Sequence, residues 1–448
     1  MKLLYKLFVL CIVLSCCVFN SYSQEEGWTL GQCIDYAITH NIEVRQKQLA
    51  KENTEISLNT SRMSRLPDLN ADAGQGFYFG RGPGREGNYI DQSQANTSLS
   101  VSSSIPIFTG MRIYNEVKAG KMDLLASVEN LNKAKEDISL RVTSYFFQVL
   151  FNRELLEIAR KQVELSKEQV VKTEALVAAG KNPESAVYDS KATLASDELA
   201  YTQAANDLTL ALLDLAQLLN LPASKTFDVS APDIERMEVE QLASLVRPDS
   251  LYAFTVDRRP GIRAARFSLE SSKYEVKVAQ SGFYPTLSLG GSYSTGYYHS
   301  YSSESVNDAF GNQLKNNSSE NVRLSLNIPI FNRLATRNRV KQAKVQVLQQ
   351  SLMLEDAEQA LYKEIEQAYY TAVAAHKKLS SSRQAVKAAR ISMEYEQIKY
   401  GAGKSTSFEY NDVKTRYEKA LSDEAQARYE YLFRTKILDF YNGKPLSE

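Results

Sequence analysis

The feature that most limits what this chain can fold into is a register kept without a gap between its two halves. Ser104-Ile105-Pro106-Ile107-Phe108 recurs as Asn327-Ile328-Pro329-Ile330-Phe331, Asn115 as Asn338, Phe146-Phe147 as Tyr369-Tyr370 and Ala179-Gly180-Lys181 as Ala402-Gly403-Lys404, all 223 positions apart. Further upstream the offset is 218, pairing Val44-Arg45 with Ile262-Arg263 and Arg65-Leu66-Pro67-Asp68-Leu69 with Phe283-Tyr284-Pro285-Thr286-Leu287. The change of offset falls between these landmarks, in a segment that accepts insertions as a surface loop does. A register held over about 75 residues requires a rigid repeated element.

That element reads as a very long helix. From Gly110 to Ala178 there is no Pro and one interior Gly, Gly120, and Leu131, Ala134, Ile138, Val142, Tyr145 and Val149 recur in steps of three and four. The counterpart, about Arg333 to Tyr400, carries Leu361, Ile365, Ala368, Ala372, Ala375 and Leu379 in the same rhythm. About 70 residues at ~1.5 Å rise span roughly 100 Å, deeper than an ordinary globular core. Both helices end at a Gly-Lys, with Gly180 and Gly403 as left-handed caps and Pro183 or Ser405 suited to the next helix start. Return helices to about Asn220 and Asn442, plus earlier helices over about Leu30 to Met63 and Ser250 to Ser281, together match the length of one long helix. Two short helices end to end can therefore flank a long one.

Each repeat places two strands before its long helix. Arg323 to Ile330 alternates apolar and polar residues, as do Leu99-Ser100-Val101-Ser102 and Thr286-Leu287-Ser288-Leu289. One face is apolar and the other hydroxylic or amidic, the pattern of a membrane barrel with about 9 to 11 residues per strand. Segments 74–94 and 297–321, rich in Gly, Ser, Asn and Tyr, suit external loops and an aromatic girdle, and 26 Tyr against one Trp in the chain agrees with a surface in a lipid interface. Gly80, Gly82 and Gly84 precede no helix and do not form a phosphate loop. A soluble sandwich would use the same alternation, and a coiled-coil scaffold would explain the heptads without the strands. Four strands cannot close a barrel, and open edges are not tolerated in lipid, so the chain must assemble.

The N-terminus reads as an export signal, residues 1–23: Lys2 and Lys6, an apolar run from Leu7 to Phe19, and Ser21-Tyr22-Ser23 before a cleavage site. An uncleaved anchor and lipidation at Cys16 or Cys17 are the alternatives. No later window is apolar enough to span a membrane as a helix. With 53 basic and 53 acidic residues, bulk charge indicates no nucleic-acid partner. Three of the four Cys lie in the first 17 residues, which leaves Cys33 without an intrachain partner, and His40, His299 and His376 lack metal-ligand spacing. No catalytic, cofactor or metal motif is present, so the expectation is no enzyme, no cofactor and no metal.

The duplicated plan, the Ile-Pro-Ile-Phe after the second strand of each repeat, and Tyr400-Gly401-Ala402-Gly403-Lys404-Ser405 entering a helix resemble the TolC-like outer-membrane efflux proteins. The resemblance covers nearly the whole mature chain. It implies a mainly α fold with a membrane β-barrel portion, in which a homotrimer closes one 12-stranded barrel in outer-membrane lipid. Twelve helices then continue it as a periplasmic α-barrel. It further implies a passive exit duct for efflux or type I secretion that meets a periplasmic adaptor protein and an inner-membrane pump. Residues 24–220 would be the first repeat, 221–249 an equatorial linker and 250–448 the second repeat. A soluble periplasmic coiled-coil adaptor or scaffold is the alternative, although two hairpins with paired amphipathic strands are not that plan.

Carried over residue by residue, the resemblance implies adaptor docking at Gly180, Lys181, Gly403 and Lys404, and a periplasmic gate at Tyr400, Glu409 and Asp412. Glu409 and Asp412 share a helix face, and threefold repetition would give a ring of six carboxylates. Acids in a first helical turn complementing the dipole are the other reading. Two departures bear on how such a gate is locked: Ser405 stands where a basic residue is usual, and Ala186 where an acid occurs.

Overall fold

A computed structural model describes residues 27–83, 87–222, 227–231, 247–301 and 306–446. The export segment with Cys16 and Cys17, and most of 221–249, lie outside the described residues. The chain divides into two compact units, one of Met1–Arg45, Ala134–Val256 and Leu361–Glu448 and the other of Gln46–Lys133 and Asp257–Ala360. Each unit takes part of both sequence repeats, and both long helices are shared between the units.

The second unit is organised by a sheet. Strands β1 (Asn70–Tyr78), β4 (Gln94–Phe108), β5 (Thr286–Ser300) and β6 (Ser319–Asn327) pair antiparallel in the order β1-β4-β5-β6. The register puts Asn70, Ser102, Ser292 and Asn321 in one row, and Ala73, Leu99 and Thr295 in another row three positions away on the opposite face. Side chains alternate across a strand, so one face carries Ala71, Ala73, Leu99, Val101, Ile105, Leu289, Val322, Leu324 and Leu326. The other carries Ser98, Ser100, Ser102, Ser104, Ser288, Ser292, Ser294 and Ser325. The edge strands β1 and β6 are exposed along their whole lengths, and Val322 is 81% exposed.

Three details depart from the sequence expectation. Strand β4 runs through Pro106, beyond the end of β1 at Asn70, so the missing Pro106 N–H faces no partner strand and costs no ladder bond. Where β1 stops, Asp68 takes over: its N–H donates to the Ser104 carbonyl and its carboxylate accepts from the Ser104 N–H. The expected loops are also partly ordered. Gly74–Tyr78 belongs to β1, a short hairpin β2 (Arg81–Pro83) with β3 (Tyr89–Asp91) follows, and β5 extends to Ser300. Above Ser294, β5 has no β6 partner, and side chains around the short helix Phe310–Asn316 serve instead. Gln313 bonds both the N–H and the carbonyl of Tyr298, and Asn307 does the same for Ser300. Amide side chains can mimic a strand edge in this way because each carries a donor and an acceptor.

Among the described residues the α-helices, in chain order, are α1 (Leu30–His40), α2 (Ile42–Met63), α3 (Arg112–Ala178), α4 (Ser185–Leu218), α5 (Pro248–Thr255), α6 (Pro260–Gln280), α7 (Phe310–Asn316), α8 (Ala335–Gly401) and α9 (Ser407–Tyr441). The long helices α3 and α8 have 67 residues each. Positive backbone φ marks the repeat independently of side chains. Gly110 and Met111 (φ 61° and 67°) correspond to Arg333 and Leu334 (54° and 64°), Gly180 to Gly403 (69° both), and Asn220 (55°) to Gly443 (81°). Each pair is 223 positions apart. At Gly110 the left-handed turn is also crowded, since a Cβ would lie 2.8 Å from the Ser281 carbonyl oxygen and the Tyr284 Cβ.

The earlier helix of each repeat, expected as one piece, is broken. Asn41 turns extended between α1 and α2 and donates from its side chain to the Leu218 carbonyl at 2.9 Å, while its Oδ1 accepts from Glu43 N–H. Asn220 returns a bond to the His40 carbonyl at 3.1 Å. The end of α4 therefore meets the α1–α2 break. In the second repeat Thr255 donates to the Tyr441 carbonyl at 2.9 Å, and Pro260 starts α6 at a position where its missing N–H is harmless. Along α3, Ala134, Ile138, Val142 and Val149 are buried as expected, but Tyr145 is 39% exposed and Phe146 takes the core position. A step of four from Val142 reaches Phe146, which stays on the face that a step of three leaves. On α8, all six expected seam residues from Leu361 to Leu379 are buried, and Ala375 and Leu379 pack with Ala427 and Tyr431 of α9. Among the described residues no helix is long and apolar enough to cross a membrane.

Candidate functional site

The two helical tips are built alike. Lys181 N–H donates to the Leu176 carbonyl and Gly180 N–H to that of Val177, and Lys404 and Gly403 repeat this with Lys399 and Tyr400. This double closure with a left-handed glycine satisfies the last carbonyls of α3 and α8. Nothing lies within 4 Å of a Cβ built on Gly180 or Gly403, so glycine is favoured there by the left-handed backbone and not by crowding. Lys181 and Lys404 are exposed.

Beyond the turns the tips diverge. Helix α9 starts with a reciprocal capping box: Thr406 Oγ1 accepts from Glu409 N–H, and the Glu409 carboxylate accepts from Thr406 N–H at 2.9 Å. The cap residue is thus Thr406 rather than Ser405. Ser405 instead donates to the carboxylates of Glu396 on α8 and Glu409 on α9. The backbone bond from Thr406, then the hydroxyls of Thr406 and Ser405, hold the Glu409 carboxyl below its usual range. Asp412 is paired with Arg416 one turn on. Tyr400 is only 3% exposed and lies inside the chain, its ring 5.0 Å from that of Tyr410 and packed with Met393. Its hydroxyl is within 3.4 Å of Thr173 and 3.3 Å of Ser407. At the other tip, α4 starts at Glu184 without a side-chain cap, and Ala186 is buried.

Deeper along the same helices lies a charged cluster that sequence reasoning missed. Lys414 of α9, 3% exposed, donates from Nζ to Ser166 of α3 at 2.6 Å and to the Asp197 carboxylate of α4, and is 3.4 Å from Glu418. Ser166 also donates to Asp197, and Gln162 to Glu418. One turn nearer the tip, Asn411 donates to Thr193 at 3.1 Å. Burial, then the nearby Asp197 charge, pushes the Glu418 carboxyl up, against the pull of Lys414 and Gln162. The node ties one helix of the second repeat to two of the first. Nothing in the pattern of α9 separates Lys414 from the charged residues of a solvated face, and Asp197 lies 217 positions away. A ligand set did not emerge: among the described residues no group of three or more His, Cys, Asp or Glu could hold a metal ion. Burial pushes the Cys33 thiol up to about 12.

Two repeats that each join a pair of strands to a long helical hairpin, with a two-faced sheet open at both edges, are the chain plan of an outer-membrane exit channel. The family described as Outer membrane efflux protein matches residues 33–221 and 251–443, and the chain belongs to it. It is 25% identical over 435 residues to outer membrane protein TolC of Escherichia coli (strain K12), covering 95% of this chain and 84% of TolC. Two solved structures share the fold. The Campylobacter jejuni CmeC outer membrane channel has a TM-score of 0.74 at 18% identity, covering 96% of this chain and 91% of CmeC. The open state of the Neisseria gonorrhoeae MtrE outer membrane channel has 0.74 at 21%, covering 95% and 94%.

Proposed function

We propose that the chain is one third of a passive exit duct. Three copies close a 12-stranded barrel in the outer membrane, and their long helices continue it as a tunnel through the periplasm. There it receives substrate from an inner-membrane pump through a periplasmic adaptor, in efflux or type I secretion. The observation that carries this is the sheet. One face is apolar and the other hydroxylic, and both edge strands expose a ladder of unpaired backbone groups, a condition stable in lipid only when further strands close the ring. The reading requires no catalytic group, cofactor or metal, because a duct acts through its walls and its gate.

Lys181 and Lys404, beside Gly180 and Gly403, would meet the adaptor. Glu409 and Asp412 would stand at the periplasmic mouth, with Tyr400 buried behind them as part of the packing that holds the tip. Ser405 and Ala186 cannot form an ion pair across the hairpins, and the Lys414 node supplies a tie of that kind from deeper positions. Exposed Ile391, Tyr395 and Ile398 recur in steps of four and three along α8, an apolar stripe suited to a neighbouring copy.

The test is fractionation with outer membranes followed by sizing in mild detergent. The expected result is a trimer of this chain alone, and recovery as a soluble monomer would reject the duct. For the mouth, Glu409→Gln with Asp412→Asn should lower the cation preference of the reconstituted channel in planar bilayers. Identical reversal potentials in both forms would leave the two acids as helix-start residues only.

A further inference from the structure

The hydroxylic face of the sheet carries two charged residues, Asp72 on β1 and Arg323 on β6. They sit on the two edge strands, both exposed, and neither forms an ion pair with another described residue of its own chain. Every other position on that face is Ser, Asn, Gln, Thr, Gly, Tyr, Pro or Phe. We propose that Arg323 forms a salt bridge with Asp72 of the partner subunit at each seam of the closed barrel. This rests on the reading that copies of the chain assemble through their sheet edges.

The geometry follows from the register. Strands alternate in direction across the sheet, so β6 beside β1 of the partner subunit is again antiparallel. A row carried straight across the sheet joins Asp72 through Ser100 and Ser294 to Ser319. Continued without stagger, it would overlap the two nine-residue edge strands by only about three residues. Pairing them along most of their length requires a stagger, and the stagger must be even to keep the hydroxylic residues on one face. A stagger of about four residues sets Arg323 directly opposite Asp72 of the partner subunit, and one of about six sets it opposite Gly74 with Asp72 diagonal to it. The long guanidinium reaches the carboxylate in both cases, and Gly74 presents no side chain in its way. Repeated over three copies, these staggers correspond to a strand tilt of roughly 35–45°, the range in which barrels close. Opposite charges at one point of a face that is otherwise uncharged also select the register, because a slip of two residues beyond these positions separates them, and Glu320 of β6 lies on the other face.

Two differently tagged copies, one carrying Asp72→Cys and the other Arg323→Cys, test the contact in isolated outer membranes under mild oxidation. A disulfide-linked species bearing both tags is expected, and none when Val322→Cys, on the opposite face, replaces Arg323→Cys. Independently, Asp72→Arg or Arg323→Asp alone should lower the temperature at which the trimer dissociates in mild detergent, and the two together should restore it. If a reversal blocks insertion, Asp72→Asn and Arg323→Gln replace it, with either alone lowering that temperature and the pair lowering it no further. A trimer that persists without the two-tag species, or a double swap no better than its singles, overturns the salt bridge and leaves the duct standing. A wild-type chain found as a monomer, or cross-linked at these sites to a different polypeptide, overturns both.

Discussion

The tips at Gly180 and Gly403 share a backbone and differ in almost everything attached to it. Both glycines have φ of 69° and both close the preceding helix with the same pair of bonds. Yet the first return helix has no side-chain cap, while the second has a capping box. The divergence deepens one to two turns in. Lys191, the repeat counterpart of Lys414, is an exposed residue paired with Glu174, whereas Lys414 is buried among Ser166, Asp197 and Glu418. Duplication kept what the backbone needs and released what the side chains do. The second tip acquired polar ties to its own helices and to the first repeat, which is where a movable mouth would need them.

The comparison breaks most visibly at the two lysines. Lys414→Met leaves the Asp197 and Glu418 carboxylates in a protein interior without their cation, and removing one partner of a buried pair costs about 3–5 kcal/mol. Lys191→Met removes an exposed, solvent-screened pair and should leave the midpoint nearly unchanged. Urea titration followed by helical circular dichroism at 222 nm should separate the variants by several kcal/mol. Equal midpoints would mean that the node is no more than a surface ion pair.

The caps give a smaller contrast. Thr406→Ala removes the hydroxyl that accepts from Glu409 N–H and should destabilise by about 1 kcal/mol, as loss of a helix cap does. Glu184→Ala removes a side chain that makes no cap bond and should change stability by less than about 0.5 kcal/mol. The same urea titration distinguishes them. A Glu184→Ala effect equal to that of Thr406→Ala would show that the first start depends on its acid through the helix dipole.

What could be read from the sequence follows from the range of each signal. The long helices were legible because their periodicity extends over many turns, and their ends because Gly180 and Gly403 require a backbone few residues adopt. The strand faces were legible through period-two alternation, although the extents of β4 and β5 were not, since Pro106 and Tyr297 to Ser300 look locally like strand ends and loop. Tyr145 and Phe146 show the limit of spacing: adjacent aromatics both fit a step of three or four, and packing decides which turns inward. The Asn41 break was hidden because, beside its local bond from Glu43, it is fixed by the Leu218 carbonyl 177 positions away. Lys414 was hidden for the same reason. A charged residue on a helix is read as solvated until a partner more than 200 positions away encloses it.

The smallest effect has opposite signs at two glutamates of α9. Burial and the Asp197 charge raise the Glu418 carboxyl in the folded state, so between the ordinary glutamate value of about 4.3 and its raised value the folded chain binds more protons than the unfolded one. Stability contributed by this group therefore falls as pH rises through that window. Glu409 is held low by Thr406 and Ser405, so its contribution is present above the ordinary value and is lost as pH falls toward the lowered one. Urea midpoints measured from acid to neutral pH should show Glu418→Gln gaining on the wild type as pH rises, because the glutamine has no proton to lose. Glu409→Gln should fall behind the wild type over the same rise, because the wild type alone acquires the capping charge. Variant curves that run parallel to the wild type at every pH would mean that neither carboxyl is shifted, and would reduce the second tip to the electrostatics of the first.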